Sequence, residues 1–509
     1  MATSSEEMKK DHTLRRYEDG DYINDDMHGN IFQASWSHKC PTYIQRTPPC
    51  QGSCPAGEDI RGWLDIVRGI EKPTGDMSMQ EYAFRRATDA NPFPSMMGRV
   101  CPAPCEEGCN RNHVDDFVGI NSVEQYIGDT AIENGFSYEA GASTGKKVAV
   151  IGGGPAGMAA AYQLRRMGHA ATVFEERAEL GGMMRYGIPG YRIPREKLAA
   201  EINRIVDMGV EVKTNTRVGK DISTDQLEKD FDAVLWALGC WTGRGLPVDG
   251  WDGTSNCVDG LTFLEAFNNG RMKVTGQKIV CIGGGDTSID VVSVARRIGY
   301  NADAGLPEAI LNNNETHDQS LADAAVPCDA TLTSLFTKDK MFAAEHEITD
   351  ATEEGVTILD GVMPLEVIVG DDGRATGLKV CDCTMDGMTP VPTEGTERVI
   401  EADLIVAAIG QGGDMEGVED FANDRNLINA DKNYQVVDKP GHFVAGDIVR
   451  PHLLTTAIGQ ASVAAESINS YLMAEKMARR PKVDKHHFSL SEKLVEVGLE
   501  PDPYDKQSS

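Results

Sequence analysis

The sequence has no long apolar run, and basic residues are scarce in it. No stretch of the 509 residues approaches the roughly 18–20 consecutive apolar residues that cross a bilayer. The N-terminal segment MATSSEEMKKDHTLRRYEDGDY lacks the apolar core of a signal peptide. The 49 Lys and Arg are outnumbered by 79 Asp and Glu, which leaves a formal charge of −30. Because such a surface repels nucleic-acid phosphates and anionic lipids, we expect a cytoplasmic protein with no membrane span and no nucleic-acid partner.

The sequence also has no CxxC pair, although it contains twelve cysteines. Zinc sites and dithiol redox sites are most often built on CxxC motifs. The glycine loop LGGMMRYGIPGYRIP contains no cysteine either, which argues against a disulfide reductase with a redox pair beside a flavin. Cys381 and Cys383 fall on an alternating strand pattern, and we interpret them as ordinary thiols.

What the sequence does have is a dense group of cysteines near its start. Thiols clustered in a reducing compartment indicate metal ligation or redox chemistry rather than disulfides. Thiolates at these spacings suit iron–sulfur clusters or zinc, and the prolines that follow Cys54 and Cys101 favour clusters. The six clustered cysteines are Cys40, Cys50, Cys54, Cys101, Cys105 and Cys109.

A strand, a glycine turn and a helix follow one another at residues 147–167, in KVAVIGGGPAGMAAAYQLRRM. Gly152 permits a tight turn, Gly154 allows a pyrophosphate to approach the backbone, and Gly157 allows the helix to pack closely on the strand. Glu175 ends the next strand, where a carboxylate would accept the hydroxyls of an adenosine ribose. In this context GxGxxG predicts a dinucleotide-binding domain, and the alternative is a plain strand–helix turn.

A second glycine turn, at residues 283–288, predicts a second α/β nucleotide-binding domain. It reads GGGDTS after the strand KIVCI, and Ser288 stands where a third glycine is usual. The next strand is expected only near residues 330–336, because the Asn- and Asp-rich stretch 301–327 is long for a connection and is interpreted as an insertion. At about 100–200 residues per domain, the chain length predicts roughly three domains. Helices are expected at 59–69 and 78–89 in the cysteine region.

A third pattern lies at residues 442–468, HFVAGDIVRPHLLTTAIGQASVAAESI. A strand that ends in Gly446-Asp447 suits the ribityl chain of a flavin. A helix that starts near Thr456 would direct its positive end toward the pyrimidine edge of the isoalloxazine. By itself Gly-Asp is a common turn, so this motif gains weight only together with the first glycine turn.

Several of these segments together resemble the small subunit of bacterial glutamate synthase and its relatives, a module that also occurs in dihydropyrimidine dehydrogenase. They are CQGSCP, GRVCPAPCEEGC, INSVEQYIGD, VAVIGGGPAGMAAA, GGMMRYGIP and AGD…TTAIGQA, and they stand in the same order. Within the family, CPTYIQRTPPCQGSCPAGEDIRGWL is most similar to the DsrL-type flavoprotein of the dissimilatory sulfite reductase system in sulfur oxidisers. The resemblance implies two glutathione reductase-like Rossmann domains, for FAD and NAD(P)H, preceded by a helical iron–sulfur domain.

The resemblance also implies a division of the chain. The expected parts are an N-terminal extension (1–35), a helical [4Fe–4S] domain (36–143), an FAD domain (144–255 and 411–480), an inserted NAD(H) domain (256–410) and a C-terminal tail (481–509).

Two [4Fe–4S] clusters are implied, and this chain departs from the family pattern in their ligands. One cluster would be held by Cys50, Cys54, Cys105 and Cys109, and the other by Cys40 and Cys101 with Glu124, where relatives place a Gln or Glu. Relatives carry a CxxC pair in the first block, whereas only Cys40 is present here, so seven of eight ligands are found. His38 is a candidate for the eighth, the alternative being an ordinary surface histidine. The second cluster therefore has an unusual ligand or is absent.

The cofactor-binding residues follow from the same resemblance. For FAD they are Gly152, Gly154, Pro155, Ala156, Gly157, Glu175, Glu176, Gly182, Met183, Arg185, Gly187, Ile188, Ala237, Gly239, Gly446, Asp447, Thr455, Thr456 and Ala457. For NAD they are Gly283, Gly284, Gly285, Asp286, Thr287, Ser288, Thr337, Lys338 and Gly410.

An absence indicates which nicotinamide cofactor is used. NADPH-dependent relatives place an Arg-Arg pair after the second strand of the NAD(P) domain, where guanidinium groups grip the 2′-phosphate. Leu335 and Phe336 occupy those positions here, and Lys338 and Lys340 are the nearest cations. The resemblance therefore implies a preference for NADH.

The implied function is electron exchange between NADH and a protein partner through FAD and the clusters, with no catalytic side chain. The narrower match indicates the dissimilatory sulfite reductase of sulfur oxidation as partner, in either direction. One alternative, a glutamate synthase small subunit serving a large subunit, is disfavoured by the missing CxxC pair, the missing arginines and the insertion. The other, a non-catalytic nucleotide-binding scaffold, is disfavoured by the intact motifs. An oligomer is compatible with the sequence.

Overall fold

The computed structural model describes residues 42–46, 48–73, 75–114, 117–475 and 485–489. Within these ranges a helical part precedes two α/β parts, each built on a parallel sheet. A short strand, β1 (Thr42–Arg46), pairs antiparallel with the last described strand, β18 (Lys485–Ser489). The helices of the first part are α1 Pro49–Ser53, α2 Ile60–Val67, α3 Met79–Ala87, α4 Pro94–Val100, α5 Pro104–Glu107 and α6 Ile120–Glu133. Cys40 and His38 lie outside the described residues.

Local sequence explains where these helices begin. The Asp59 side chain accepts a hydrogen bond from the backbone N–H of Gly62 at 3.2 Å, and Ser78 accepts one from Glu81 at 3.1 Å, so both residues cap helices. Helices α1, α4 and α5 each begin with a proline, whose missing N–H costs nothing in the first turn. The helices predicted at 59–69 and 78–89 are confirmed.

The first sheet has the strand order β17–β5–β2–β3–β4, and all of its pairings are parallel. Strand β17 comes from the C-terminal part, so the chain leaves this sheet after β5 and returns to it much later. Its strands are β2 Lys147–Ile151, β3 Ala170–Phe174, β4 Glu211–Lys213, β5 Ala233–Trp236 and β17 His442–Val444. The helices around it are α7 Pro155–Arg166, α8 Met183–Tyr186, α9 Arg195–Val206, α10 Thr224–Asp230 and α16 Leu454–Leu472.

The second sheet has the order β10–β9–β8–β15–β7 and is also entirely parallel. Its strands are β7 Cys257–Asp259, β8 Lys278–Ile282, β9 Asp329–Ser334, β10 Thr357–Asp360 and β15 Leu404–Ala407. Its helices are α11 Gly260–Asn268, α12 Asp286–Ile298, α13 Pro307–Asn313, α14 Ser320–Asp323 and α15 Glu345–Glu353. Helices α13 and α14 lie within the stretch interpreted as an insertion. With strands buried on both faces in each sheet, the predicted α/β fold class is confirmed.

Two smaller antiparallel sheets complete the fold. Strand β6 (Thr242–Gly243) pairs with β16 (Gln411–Gly412), where the chain crosses between the two large sheets. The other small sheet comprises β11 Val362–Val369, β12 Ala375–Asp386, β13 Thr389–Pro392 and β14 Arg398–Glu401. Cys381 and Cys383 are both buried on β12. No helix within the described ranges combines the length and the apolar composition that a membrane span requires.

The helical part shares a core with the first sheet. Phe93, Met96 and Met97 are completely buried in one apolar cluster with residues of β2, β3 and α16. Across this contact Glu201 of α9 accepts hydrogen bonds from the backbone N–H groups of Ser95 at 2.8 Å and Met96 at 3.2 Å. A carboxylate of the first sheet's layer therefore caps α4 of the helical part, and burial raises its pKa to about 8.

Candidate functional site

A cleft over the glycine turn that follows β2, here called the β2 cleft, requires glycine at two positions. A Cβ on Gly152 would lie 2.3 Å from the carbonyl oxygen of Ala237, and one on Gly157 would lie 1.9 Å from that of Gly152. A Cβ on Gly154 would meet nothing closer than 3.6 Å, so this residue faces open space at the N-terminus of α7. An open backbone at a helix N-terminus is suited to a pyrophosphate.

Glu175 lies in the β2 cleft, and both of its carboxylate oxygens accept backbone hydrogen bonds. Oε2 accepts from Gly153 N at 2.8 Å, and Oε1 accepts from Arg177 N at 2.9 Å. Burial raises the pKa of this carboxyl. The side chain thus braces the glycine turn from the end of β3, which is where the sequence predicted a ribose-binding acid.

Most residues predicted for FAD line the β2 cleft, and others lie elsewhere. Those that line it are Gly152, Gly154, Pro155, Ala156, Glu175, Glu176, Gly182, Met183, Ala237, Gly239, Gly446, Asp447 and Ala457. Arg185 does not line it, because its Nε donates to the Leu180 carbonyl at 2.6 Å. The hydroxyl of Thr456 is 2.7 Å from Nδ1 of His452. Gly187, Ile188 and Thr455 line a neighbouring cleft.

Sequence reasoning missed the wall of the β2 cleft that faces Glu176. Arg217 pairs with Glu176 and with Asp414, at 2.8 Å in each case. These residues come from the loop after β4 and the loop after β16, and both loops also contribute other lining residues. No motif marks either loop, so no signal in the sequence points to this wall.

A second cleft, the β8 cleft, has a volume of about 560 Å³ and a neutral wall. It is lined by the glycine turn at Gly283–Gly285, by Thr287 and Gly410, and by mainly apolar side chains. No charged side chain of the described residues lines it. Phe336 and Phe342 meet edge to face in its wall, with ring centroids 5.1 Å apart.

Four residues predicted for NAD lie outside the lining of the β8 cleft. Ser288 is completely buried, and its hydroxyl donates to the Gly285 carbonyl at 2.6 Å, so it closes the glycine turn from within. Thr337 and Lys338 lie where a short 3-10 turn begins beside the cleft, and the Lys338 N–H donates to Asp360. Asp286 accepts from Ala344 N at 3.3 Å and lines a neighbouring cleft.

A third cavity, the cysteine cavity, brings together residues from both cysteine blocks. Cys54, Cys101, Cys105 and Glu124 all line it, together with Glu58. Burial raises the pKa of the Cys101 thiol to about 12 and that of Cys105 further. No three His, Cys, Asp or Glu side chains in the described ranges converge on a single ion, so these thiols surround a cavity rather than a point. Three thiols and a carboxyl are a donor set that fits an iron–sulfur cluster.

Glu124 is held in place from two sides. Its Oε1 accepts a hydrogen bond from Nδ2 of Asn91 at 2.6 Å, and Asn91 is itself completely buried. Glu58 lies beside it with 3% of its surface exposed. Burial, followed by the neighbouring Glu58 charge, raises the pKa of Glu124. Neither Glu58 nor Asn91 was singled out from the sequence, because neither belongs to a recognisable motif.

The cysteines and Glu124 are grouped in the structure differently from what the resemblance implied. Cys101 and Glu124 lie with Cys54 and Cys105, and not apart from them. Cys50 and Cys109 are half-buried and lie outside the lining of the cysteine cavity. Burial, and after it charge on the nearby Cys109, raises the pKa of Cys50. We call Cys54, Cys101, Cys105 and Glu124 the inner set, and Cys50 and Cys109 the outer pair.

A central cleft of about 160 Å³ joins these three spaces. It shares Leu261, Thr287 and Gln411 with the β8 cleft. It also shares lining residues with the other two spaces. With the β2 cleft these are Met183, Asp447 and Leu454, and with the cysteine cavity they are Cys101 and Thr455.

An ion-pair network closes one side of the central cleft. Arg192 donates to Asp290 of α12 at 2.7 Å and also to Glu347 of α15. Burial raises the pKa of Asp290 to about 6 and that of Glu347 to about 7, and Arg192 opposes both shifts. This network holds the loop before α9 against α12 and α15 of the second α/β part, and α12 is the helix that follows the glycine turn of β8.

Two family models match the chain. The model described as pyridine nucleotide-disulphide oxidoreductase matches residues 146–465. The model described as dihydropyrimidine dehydrogenase domain II, 4Fe-4S cluster, matches residues 30–136.

Curated relatives match most of the chain. Glutamate synthase (NADPH) small chain of Mycobacterium tuberculosis is 33% identical over 456 residues, which are 85% of this chain and 88% of that protein. NAD-dependent dihydropyrimidine dehydrogenase subunit PreT of Escherichia coli is 31% identical over 431 residues, 83% of this chain and 91% of that one. NADP(+)-dependent formate dehydrogenase subunit beta of Moorella thermoacetica is 31% identical over 460 residues, 84% of this chain, and the chain spans 60% of that relative.

Solved structures share the fold. FprA of Mycobacterium tuberculosis in complex with NADPH superposes with a TM-score of 0.53 and 14% identity, over 71% of this chain and 88% of that one. At that identity the likeness concerns the fold alone.

Proposed function

Since this chain belongs to the pyridine nucleotide-disulphide oxidoreductase family and is an iron–sulfur flavoprotein NAD(P)H oxidoreductase, we propose that it exchanges electrons between NADH and a protein partner. The observation that carries the proposal is the central cleft. It shares lining residues with both glycine-turn clefts and with the cysteine cavity. A nicotinamide, a flavin and a cluster could therefore meet at one place.

The β2 cleft is proposed as the FAD site. Gly154 and the start of α7 would receive the pyrophosphate, and Glu175 at the end of β3 the ribose hydroxyls. The N-terminus of α16, which begins at Leu454, would direct its positive end toward the isoalloxazine. Bound flavin supplies two-electron exchange with nicotinamide and one-electron exchange with iron–sulfur clusters.

The β8 cleft is proposed as the nicotinamide nucleotide site, with NADH as the preferred cofactor. A 2′-phosphate would enter a wall without a charged lining side chain and would lose hydration without gaining a countercharge. Leu335 and Phe336 stand where the resemblance places the arginine pair of NADPH-dependent relatives. The nearby Lys338 belongs to a turn outside the lining. Asp286 and Thr287, at the start of α12, face the central cleft.

The inner set is proposed to hold one [4Fe–4S] cluster. Cys54, Cys101, Cys105 and Glu124 provide four ligands around one cavity, so this site is complete. The outer pair would need Cys40 and one more ligand for a second cluster. On this proposal the donor missing from the sequence pattern would belong to the outer site, and not to the site of Cys101 and Glu124.

The proposed partner is a sulfite reductase-type protein, supported by the resemblance of the segment around Cys40–Cys54. A glutamate synthase large subunit is the second candidate, supported by the 33% identity with a glutamate synthase small chain over 88% of its length. The division into 36–143, 144–255 with 411–480, and 256–410 remains part of the proposal. The first and second parallel sheets support its two α/β parts.

The test is an anaerobic one on the purified chain. Iron and flavin are measured, then the protein is titrated with NADH, and finally each candidate partner is added as electron acceptor. About eight irons per flavin, bleaching by NADH and electron transfer to the sulfite reductase-type partner are expected. About four irons would assign the iron to the inner set alone. Transfer only to the glutamate synthase large subunit would favour the second candidate, and absence of both flavin and iron would refute the proposal.

A further inference from the structure

Thr455 occupies an unusual position for a residue expected to contact only FAD. It is the second residue of α16 and is 3% exposed. Its Oγ1 lies 3.8 Å from the Sγ of Cys101, a contact length suited to sulfur, across 354 positions of sequence. Thr455 and Cys101 are also the two residues that line both the central cleft and the cysteine cavity.

The same face of α16 contacts the other cysteine block. Gly459 lies one turn after Thr455, and residues four apart share a helix face. A Cβ on Gly459 would be 2.1 Å from the carbonyl oxygen of Pro55, which follows Cys54 directly. The helix therefore passes the Cys54–Pro55 loop at backbone contact distance, which fixes the backbone of α16 against this cysteine segment.

Cys101 is fixed from its other side as well. Nδ2 of Asn121 donates to the Cys101 carbonyl oxygen at 2.7 Å, and Cys101 ends α4 as its C-cap. With its backbone held in this way, the thiol has one side-chain hydroxyl within hydrogen-bond distance among the described residues.

We propose that Thr455 is a positioning residue for the inner cluster: its hydroxyl donates a hydrogen bond to the Cys101 thiolate once that thiolate binds iron. The proposal rests on the proposed function, because it requires iron at the inner set. Reduction adds negative charge to a cluster and its thiolate ligands. A hydrogen-bond donor to one of these sulfurs stabilises the reduced form and raises the reduction potential. In this way a residue at the start of α16, beside the proposed flavin site, would set the reduction potential of the inner cluster.

The experiment compares Thr455→Val, which removes the donor and keeps the shape, with Thr455→Ser, which keeps the donor. The control is Thr88→Val, since Thr88 is a buried threonine of the helical part whose hydroxyl donates to the Phe84 carbonyl at 2.8 Å. Iron per flavin is measured for each protein, followed by an anaerobic redox titration monitored by low-temperature EPR. If Thr455→Val loses its iron, Thr455→Ala takes its place.

In Thr455→Val the reduced-to-oxidised ratio of one cluster at a fixed potential should fall about two- to tenfold, the range expected for one hydrogen bond. Thr455→Ser should restore the ratio, and Thr88→Val should leave it unchanged. The role of Thr455 is refuted if iron content is full and the ratio does not change, or if only the flavin potential moves. Iron absent from the unaltered protein would instead refute the proposed function.

Discussion

The neutral wall of the β8 cleft makes cofactor preference the sharpest test of the proposed nucleotide site. Leu335 and Phe336 line this wall at the end of β9, and Phe336 meets Phe342 edge to face. We expect the double substitution Leu335→Arg/Phe336→Arg to turn the preference from NADH toward NADPH. Two guanidinium groups would then supply the countercharge that a 2′-phosphate lacks in this cleft.

The size of the effect follows from the new charged hydrogen bonds and from the loss of one aromatic pair. A hydrogen bond to a charged group contributes about 1.5–3 kcal/mol, and about 1.4 kcal/mol corresponds to a factor of ten. Loss of the Phe336–Phe342 pair costs about 0.5–1.5 kcal/mol, but it affects both nucleotides and cancels in their ratio. A net gain of one such hydrogen bond corresponds to a rise of roughly ten- to a hundredfold in the ratio of kcat/KM for NADPH to that for NADH, and we expect at least that rise.

The assay is anaerobic stopped-flow reduction of the bound flavin by each nucleotide. Val399→Arg is the control for an added guanidinium group, because its side chain is 55% exposed on β14, away from the cleft lining. An unchanged ratio in a double variant with full flavin content would refute the reasoning. Faster reduction of the unaltered protein by NADPH would do so as well.

Three further outcomes are expected. Gly157→Ala should lose flavin and unfold at lower temperature, because its Cβ would lie 1.9 Å from the Gly152 carbonyl oxygen. Cys109→Ser should lose the outer cluster alone, leaving about four irons per flavin. Burial raises the pKa of Asp290 in the folded protein to about 6, above its unfolded value of about 3.9. The folded state therefore binds the proton more tightly, and the free energy of unfolding falls as pH rises from about 4 to about 6. In Asp290→Asn this fall in the free energy of unfolding, at most about 3 kcal/mol, should be absent when thermal unfolding is measured across that pH range.

Each of these three has a matched comparison. Gly412→Ala adds a Cβ with nothing within 4 Å and should keep its flavin. Cys54→Ser removes a ligand of the inner set and should lower the iron bound there. If the Cys54 and Cys109 variants lost iron from the same cluster, the division into an inner set and an outer pair would be wrong. A pH slope in Asp290→Asn equal to that of the unaltered protein would show that the carboxyl is not buried as described.

The strands of the parallel sheets could be predicted from the local sequence pattern. KVAVI at β2 and KIVCI at β8 are continuous apolar runs because such strands are buried on both faces, and both were located to the residue. The first glycine turn could also be predicted, because Gly152 and Gly157 stand where the backbone leaves no room for a side chain. The same locality explains why the helices capped by Asp59 and Ser78 could be predicted.

The grouping of the cysteines could not be predicted, because it depends on contacts between distant segments. A Cβ on Gly108 would lie 2.5 Å from the Ser53 hydroxyl, so the α5 end packs on α1 and sets Cys109 near Cys50. Spacing along the chain does not encode that contact. The partners of Glu124 are equally non-local, since Asn91 is 33 positions away from it.

The cap that Glu201 provides for α4 changes how this chain could be divided or recombined. The stretch at 139–147 is small and polar, as linkers are, yet removing everything before it would uncover the apolar surface of the first sheet that Met96 and Met97 cover and leave Glu201 without its two donors. A fragment of this chain that is expressed alone or fused to another protein would therefore have to contain both the helical part and the first sheet. The second sheet is joined to them by the paired strands β6 and β16 and by the ion pairs of Arg192, and an exchange of that part would have to keep Asp290 and Glu347.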